Sequence, residues 1–116
     1  MNQLRRVHHF DRSEAGDLLI APARAGHFLA VFGLVVQGHE DGNVVQLRGS
    51  ANGSDFTARH WPIKADAGSG AGESLGGDTP IAVLPGGEGL YLTTSSGDRV
   101  GGNVVYDYLP GEPIFG

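Results

Sequence analysis

The sequence predicts an all-β domain built as an antiparallel β-sandwich, and three observations carry that prediction. Glycine makes up 20 of the 116 residues, against a usual share of about 7%. The glycines fall between short apolar runs, where chain reversals need the positive φ that glycine adopts without strain. Several of those runs alternate apolar and polar residues with the two-residue period of a half-buried strand, and no window repeats with helical period.

Taken in order, the chain reads as eight strands. The first spans Leu4–Phe10, and the second, Asp17–Ala21, ends at Pro22. The third, His27–Gln37, is rich in Val, Leu and Phe, and Gly33 inside it marks a bulge. The turn from Gly38 to Asn43 leads to the fourth, Val44–Ala51, in which Val45, Leu47 and Gly49 face one way and Val44, Gln46 and Arg48 the other. Asn52-Gly53 is the strongest hairpin signal, read as a type I′ turn. Phe56–Ile63 is the fifth strand. A loop follows from about Lys64 to Gly77, its centre a low-complexity, mobile run from Ala67 to Ser74. Thr79–Leu84 is the sixth strand. Leu90–Ser95, the seventh, sets Leu90, Leu92 and Thr94 against Tyr91, Thr93 and Ser95. Val100–Leu109, the eighth, sets Val104, Tyr106 and Tyr108 against Val105, Asp107 and Leu109. Eight strands in this length suit a jelly-roll-like sandwich, and another two-sheet Greek-key topology has the same strand count. One domain is expected over residues 1–116, with 1–12 as an anchoring arm and 110–116 as a Pro/Gly-rich tail.

Composition narrows the function classes. The net charge is −5 with only 8 Lys+Arg, so the basic stripe of a nucleic-acid binder is missing. The longest apolar run, Phe28 to Val36, has nine residues; a helix crossing a bilayer needs about 20. Met1–Asp17 is polar and mixed, unlike an export signal. A soluble domain is expected, with neither nucleic acid nor membrane as partner. Cysteine is absent, which removes disulfides and thiolate metal sites.

No motif for chemistry survives inspection. His8 and His9 are adjacent on a strand and point to opposite faces, so they cannot share an ion. His27, His39 and His60 are isolated in sequence. A metal-binding jelly roll of the cupin kind places two histidines one residue apart with a glutamate following; here only His39-Glu40 stands, and Pro85-Gly86-Gly87 lacks a following histidine. The glycine run ends Gly72-Glu73-Ser74, with a carboxylate where a phosphate loop needs lysine. No Gly-x-Ser-x-Gly elbow provides a nucleophile. The expectation is a protein that is not an enzyme, with no metal and no cofactor. Trp61 beside Pro62 suits either stacking on a sugar or plugging the end of the sandwich.

From Phe28 onward the chain resembles the small jelly-roll virion proteins of tailed bacteriophages, of the head decoration, cement or fibre kind. The resemblance rests on the apolar strand Phe28–Val36, the polar strand Val44–Ser50, and the closing pair Gly87–Ser95 and Val100–Tyr106. The most specific part is Gly-Leu-x-Leu at 89–92 followed by Val-Gly-Gly-x-Val-x-Tyr at 100–106. The resemblance implies a structural protein of the virion, assembled in the host cytoplasm as a homotrimer docked on the capsid or another virion protein. The continuous apolar run independently suggests a strand covered on both faces, by a neighbouring subunit or by its own long loop. Candidate interface residues are Phe28, Phe32, Tyr91, Tyr106 and Tyr108, and Arg5 and Arg6 are candidate anchors. The alternative is a glycan-binding, lectin-like or tail-fibre-type module using Trp61.

Overall fold

The computed structural model describes residues 5–38, 43–58, 63–65, 70–74 and 79–111. These form strands β1 (Arg6–Arg12), β2 (Gly16–Ala21), β3 (His27–Gly38), β4 (Asn43–Ser50), β5 (Phe56–Ala58), β6 (Ile63–Ala65), β7 (Gly70–Ser74), β8 (Ala82–Val83), β9 (Gly89–Thr94) and β10 (Val100–Pro110), with no helix among the described residues. Every strand pairing is antiparallel. One sheet runs β1-β10-β3-β7, with β8 also on β3; the other runs β2-β9-β4-β5, with β6 also on β4. The short strands β5 and β6 share one lane along β4, and β7 and β8 share one along β3. Each sheet is thus four lanes wide.

The pairings follow one rule. The chain behaves as a long hairpin rolled up on itself: β1 lies against β10, β2 against β9, β3 against β7 and β8, and β4 against β5 and β6. The tip of that hairpin is the loop at Asn52-Gly53. The inner faces of the two sheets meet in one apolar cluster. Leu29, Val31, Leu34, Val36, Val100 and Val104 come from the first sheet, and Val45, Leu47, Leu90 and Leu92 from the second. Leu29, Leu34, Leu47, Leu84, Leu90 and Leu92 are fully buried; each such side chain contributes roughly 1.5–3 kcal/mol by leaving water.

Alternation explains which residues point inward. In β4, Val45 and Leu47 are buried while Val44, Gln46 and Arg48 are half-buried on the outer face, as the sequence predicts. In β9, Leu90, Leu92 and Thr94 are buried, and Tyr91 and Thr93 lie outward. β3 keeps its period only up to a bulge. Its pairing with β10 slips between Val105 and Tyr106, where Val105 opposes Gly33 and Tyr106 opposes Val31, so Phe32 is the extra residue. The bulge expected at Gly33 is therefore present. It lets Leu29 and Val31 on one side of it, and Leu34 and Val36 on the other, all reach the core.

Four expectations are corrected. Gly70–Ser74, placed in the glycine-rich centre of the predicted loop, is strand β7, which pairs Gly33–Gln37 of β3 through its backbone; hydrogen bonding on a sheet edge needs no side-chain pattern, so composition hides it. The predicted fifth strand, Phe56–Ile63, is divided between β5 and β6, whose registers on β4 differ by two residues; residues 59–62 lie outside the described ones. The predicted sixth strand shrinks to Ala82–Val83. The Asn52-Gly53 turn is not type I′. Only Gly53 has positive φ, at 79°, and the loop between Ser50 and its partner Phe56 spans residues 51–55.

Candidate interaction surfaces

The outer face of the first sheet carries an apolar strip. Val7 of β1 lies opposite Val105 of β10, and Val35 of β3 sits diagonally from it, opposite Asn103. Val7 and Val35 are 50% and 52% exposed, among the most exposed large apolar residues described. Next to them Ala30 and Phe32 face outward yet are buried, at 0% and 7%. The Arg5 guanidinium lies 3.7 Å from the Phe32 ring centroid. The nine-residue apolar run is thus covered on both faces in its first half and bare at Val35. At the rim, His9 Nδ1 is hydrogen-bonded to Asn103 Oδ1. His8 lies opposite Val104 and faces inward, so the two adjacent histidines do point apart.

The outer face of the second sheet carries a different patch. Leu19 is 46% exposed and lies opposite Tyr91. The Tyr91 ring meets Phe56 edge-to-face, with centroids 5.1 Å apart. Arg48 stands 6.0 Å from the Phe56 centroid and donates from Nε to Gln46 Oε1 at 3.2 Å. Asp17 accepts a 2.7 Å hydrogen bond from Thr93 Oγ1 beside them.

A third feature lies at one corner of the sandwich, where β1 begins and β10 ends. Tyr106 and Tyr108 pack against the core cluster from its edge, with centroids 6.2 Å apart in a T-shaped pair. The Tyr108 hydroxyl donates to the Pro22 carbonyl at 2.5 Å. The guanidinium carbons of Arg24 and Arg6 lie 4.0 and 5.5 Å from the Tyr108 centroid. Burial raises the Tyr108 pKa above its ordinary value, with a further rise from Tyr106, and the two arginines oppose this in part.

The structure therefore separates the residues that sequence groups together. Phe28 and Phe32 belong to the outer side of the first sheet and Tyr91 to the outer side of the second. Tyr106 and Tyr108 sit at the corner between the sheets. Arg5 and Arg6 lie on the first sheet beside Phe32 and Tyr108, and the residues expected as an arm include strand β1. Trp61, His39 and His60 fall outside the described residues. Leu19, Val7 and Val35 carry no signal in the sequence, because an outward valine or leucine in an alternating strand looks like any other strand residue. Among the described residues, no group of three or more His, Asp or Glu is placed to hold a metal ion, and no helix is long and apolar enough to cross a membrane.

No protein-family model matches the chain, and neither the curated proteins nor the solved structures contain a match to it.

Proposed function

We propose that this chain is a structural subunit of a tailed-bacteriophage virion, a capsid decoration, cement or head-fibre protein that assembles as a homotrimer on the particle. The observation that carries the proposal is the pair of unlike apolar patches on opposite outer faces, Val7 and Val35 on one and Leu19 with Tyr91 and Phe56 on the other. A ring around a threefold axis uses heterologous contacts, in which one patch meets a different patch of its neighbour. The rolled-hairpin strand pairing supports the same reading, because a jelly roll would pair its strands in this way. The mechanism is passive: several weak contacts per subunit act together through multivalency.

Light scattering of the purified chain tests the trimer. Three copies are expected, with dissociation on Val35→Glu, and a strict monomer counts against it. Gene order tests the virion assignment: capsid and portal genes alongside support it, and a metabolic operon sinks it.

The Tyr91–Phe56 pair with Arg48, Gln46 and Asp17 nearby favours one second reading, a glycan-binding module. Aromatic faces flanked by hydrogen-bonding groups suit a sugar ring. Glycan-array binding that is lost on Tyr91→Ala or Trp61→Ala would select it.

A further inference from the structure

We propose that Arg6 and Arg24, held against the Tyr108 ring at the corner of the sandwich, form a receiving site for carboxylates of an acidic segment on a partner protein. The inference deepens the docking reading above by naming the chemistry of what docks.

Three other described arginines spend their Nε–H groups inside the molecule. Arg12 donates to Glu14 O at 3.0 Å and Thr94 Oγ1 at 3.1 Å, Arg48 to Gln46 Oε1, and Arg99 to both Asp11 oxygens at 3.0 and 2.8 Å. Arg24 differs. It is exposed, its guanidinium lies against the Tyr108 ring, and that guanidinium makes no hydrogen bond or ion pair with the described residues. Arg6 is half exposed, and its acidic neighbour among them is Asp107 at 4.0 Å. That carboxylate already accepts from the Tyr108 N–H at 2.9 Å.

A guanidinium engaged through its face on an aromatic ring keeps its in-plane N–H edge for a partner. That edge matches the two oxygens of a carboxylate. The platform is rigid, since Tyr108 is fixed by its hydroxyl bond to Pro22 and by packing against the core. Two guanidiniums within 5.5 Å of one ring centroid concentrate positive charge on a chain whose net charge is −5. A nucleic acid is the weaker candidate. An extended polyanion would have to run on across an acidic surface, whereas a short acidic segment meets only the corner.

The test is titration of the full chain at low salt with a short glutamate-only peptide, and with its glutamine counterpart as control. The glutamate peptide should bind, more weakly as salt is added, and the glutamine peptide should not. Arg24→Gln should weaken binding at least about tenfold, the value of one charge-assisted hydrogen bond. Arg24→Lys keeps the charge but not the planar edge and should also weaken it. Tyr108→Phe keeps the ring and should retain binding. Equal affinity for both peptides, or no effect of Arg24→Gln in a folded protein, overturns the site. Full binding by Arg24→Lys overturns its geometry. Tighter binding of a single-stranded oligonucleotide or of inorganic phosphate overturns the choice of occupant. The outcomes separate from the oligomer test: a monomer that binds the peptide keeps this site and discards the trimer, and a trimer that ignores it does the reverse.

Discussion

Asn43 offers the sharpest test of how the two sheets are joined. Its side chain is 1% exposed at the start of β4. Nδ2 donates to the carbonyls of Ser96 at 3.2 Å and Asp98 at 2.7 Å. Oδ1 accepts from the N–H groups of Ser95 at 3.1 Å and Ser96 at 3.3 Å. One amide thus satisfies four backbone groups of the turn that carries the chain from β9 in one sheet to β10 in the other. Asn43→Ala removes these four bonds; Ser95 N–H keeps the Val44 carbonyl at 3.0 Å, and the other three groups lose this partner. A buried group left without its partner costs about 1–3 kcal/mol, and water reaches part of this turn, so a loss of about 2–4 kcal/mol is expected. Asn43→Asp is the more discriminating change, since it keeps the shape and the accepting oxygen. The second oxygen of the new carboxylate, when ionised, faces two carbonyls. The protonated acid can donate to one of them, so the fold raises this carboxyl above its unfolded value of about 3.9. A raised folded pKa means the variant stays closest to the parent below that unfolded value. It loses stability as pH climbs through the folded pKa, by about 1.4 kcal/mol for each pH unit that separates the folded from the unfolded value. Urea unfolding of parent and variants at matched pH, from acid to neutral, measures this. An Asn43→Asp variant as stable as its parent at neutral pH, or one whose deficit shrinks as pH rises, would refute the reasoning.

Three further outcomes follow from close contacts. A Cβ on Gly102 would overlap the Val35 carbonyl of the neighbouring strand, while one on Gly101 would meet Phe10 O at 3.3 Å. Gly102→Ala should therefore cost about 1–3 kcal/mol in denaturant melts and Gly101→Ala visibly less. Gly53, at φ 79° with a prospective Cβ 3.1 Å from the Tyr91 hydroxyl, should lose about 1 kcal/mol or more on mutation to Ala. Tyr108→Phe should cost about 1 kcal/mol through the lost bond to Pro22. Because the Tyr108 pKa is raised in the fold, its contribution is whole below the ordinary value of about 10 and fades as pH rises through the folded value. The Phe variant should lack that alkaline loss in pH-dependent thermal melts.

Much of this architecture is legible because buried faces leave a period in the sequence. Alternation alone groups Val45 with Leu47, Leu90 with Leu92, and Val104 with Tyr106 and Tyr108, and Gly33 locates the bulge. What stays hidden is held by backbone or by single polar groups. β7 is a run of Gly, Ala and Gly before Glu73 and Ser74, so its pairing with β3 leaves no apolar signature. Asn43 reads as the last residue of a polar turn, and only the fold shows its amide buried in the β9–β10 connection. The Asn52-Gly53 signal locates the hairpin tip but not its geometry. Ser50 Oγ accepts from the N–H of Gly53 at 2.9 Å, and Asn52 Oδ1 accepts from Ser54 and Asp55 at 2.8 Å each. These bonds stabilise a five-residue loop in place of a tight turn. For the surfaces, sequence singles out aromatic residues, yet their grouping depends on which sheet each strand joins. No periodicity within one strand encodes that.

The open side of the sandwich bears on how copies of this chain can meet. β1 and β2 are edge strands there, and an uncovered edge invites pairing with another chain. The inner face of β1, however, presents Arg6, His8 and Arg12 beside Phe10, and Arg12 reaches across to Thr94 Oγ1 on the opposite sheet. A second copy that extended the sheet past β1 would have to cover these polar side chains. Inward-pointing charge on an edge strand is a known device against such growth. On the side of β7 the edges are short, and β6 and β7 approach each other across the two sheets. Edge-to-edge extension is thus disfavoured on β1, while Val7, Val35 and Leu19 stand bare on the sheet faces. Association through those faces should respond to Val35→Glu and Leu19→Glu and be indifferent to prolines placed in β1 at backbone N–H groups not bonded to β10. Loss of assembly on such a proline, in a protein that still folds, would show that the edge and not the face makes the contact.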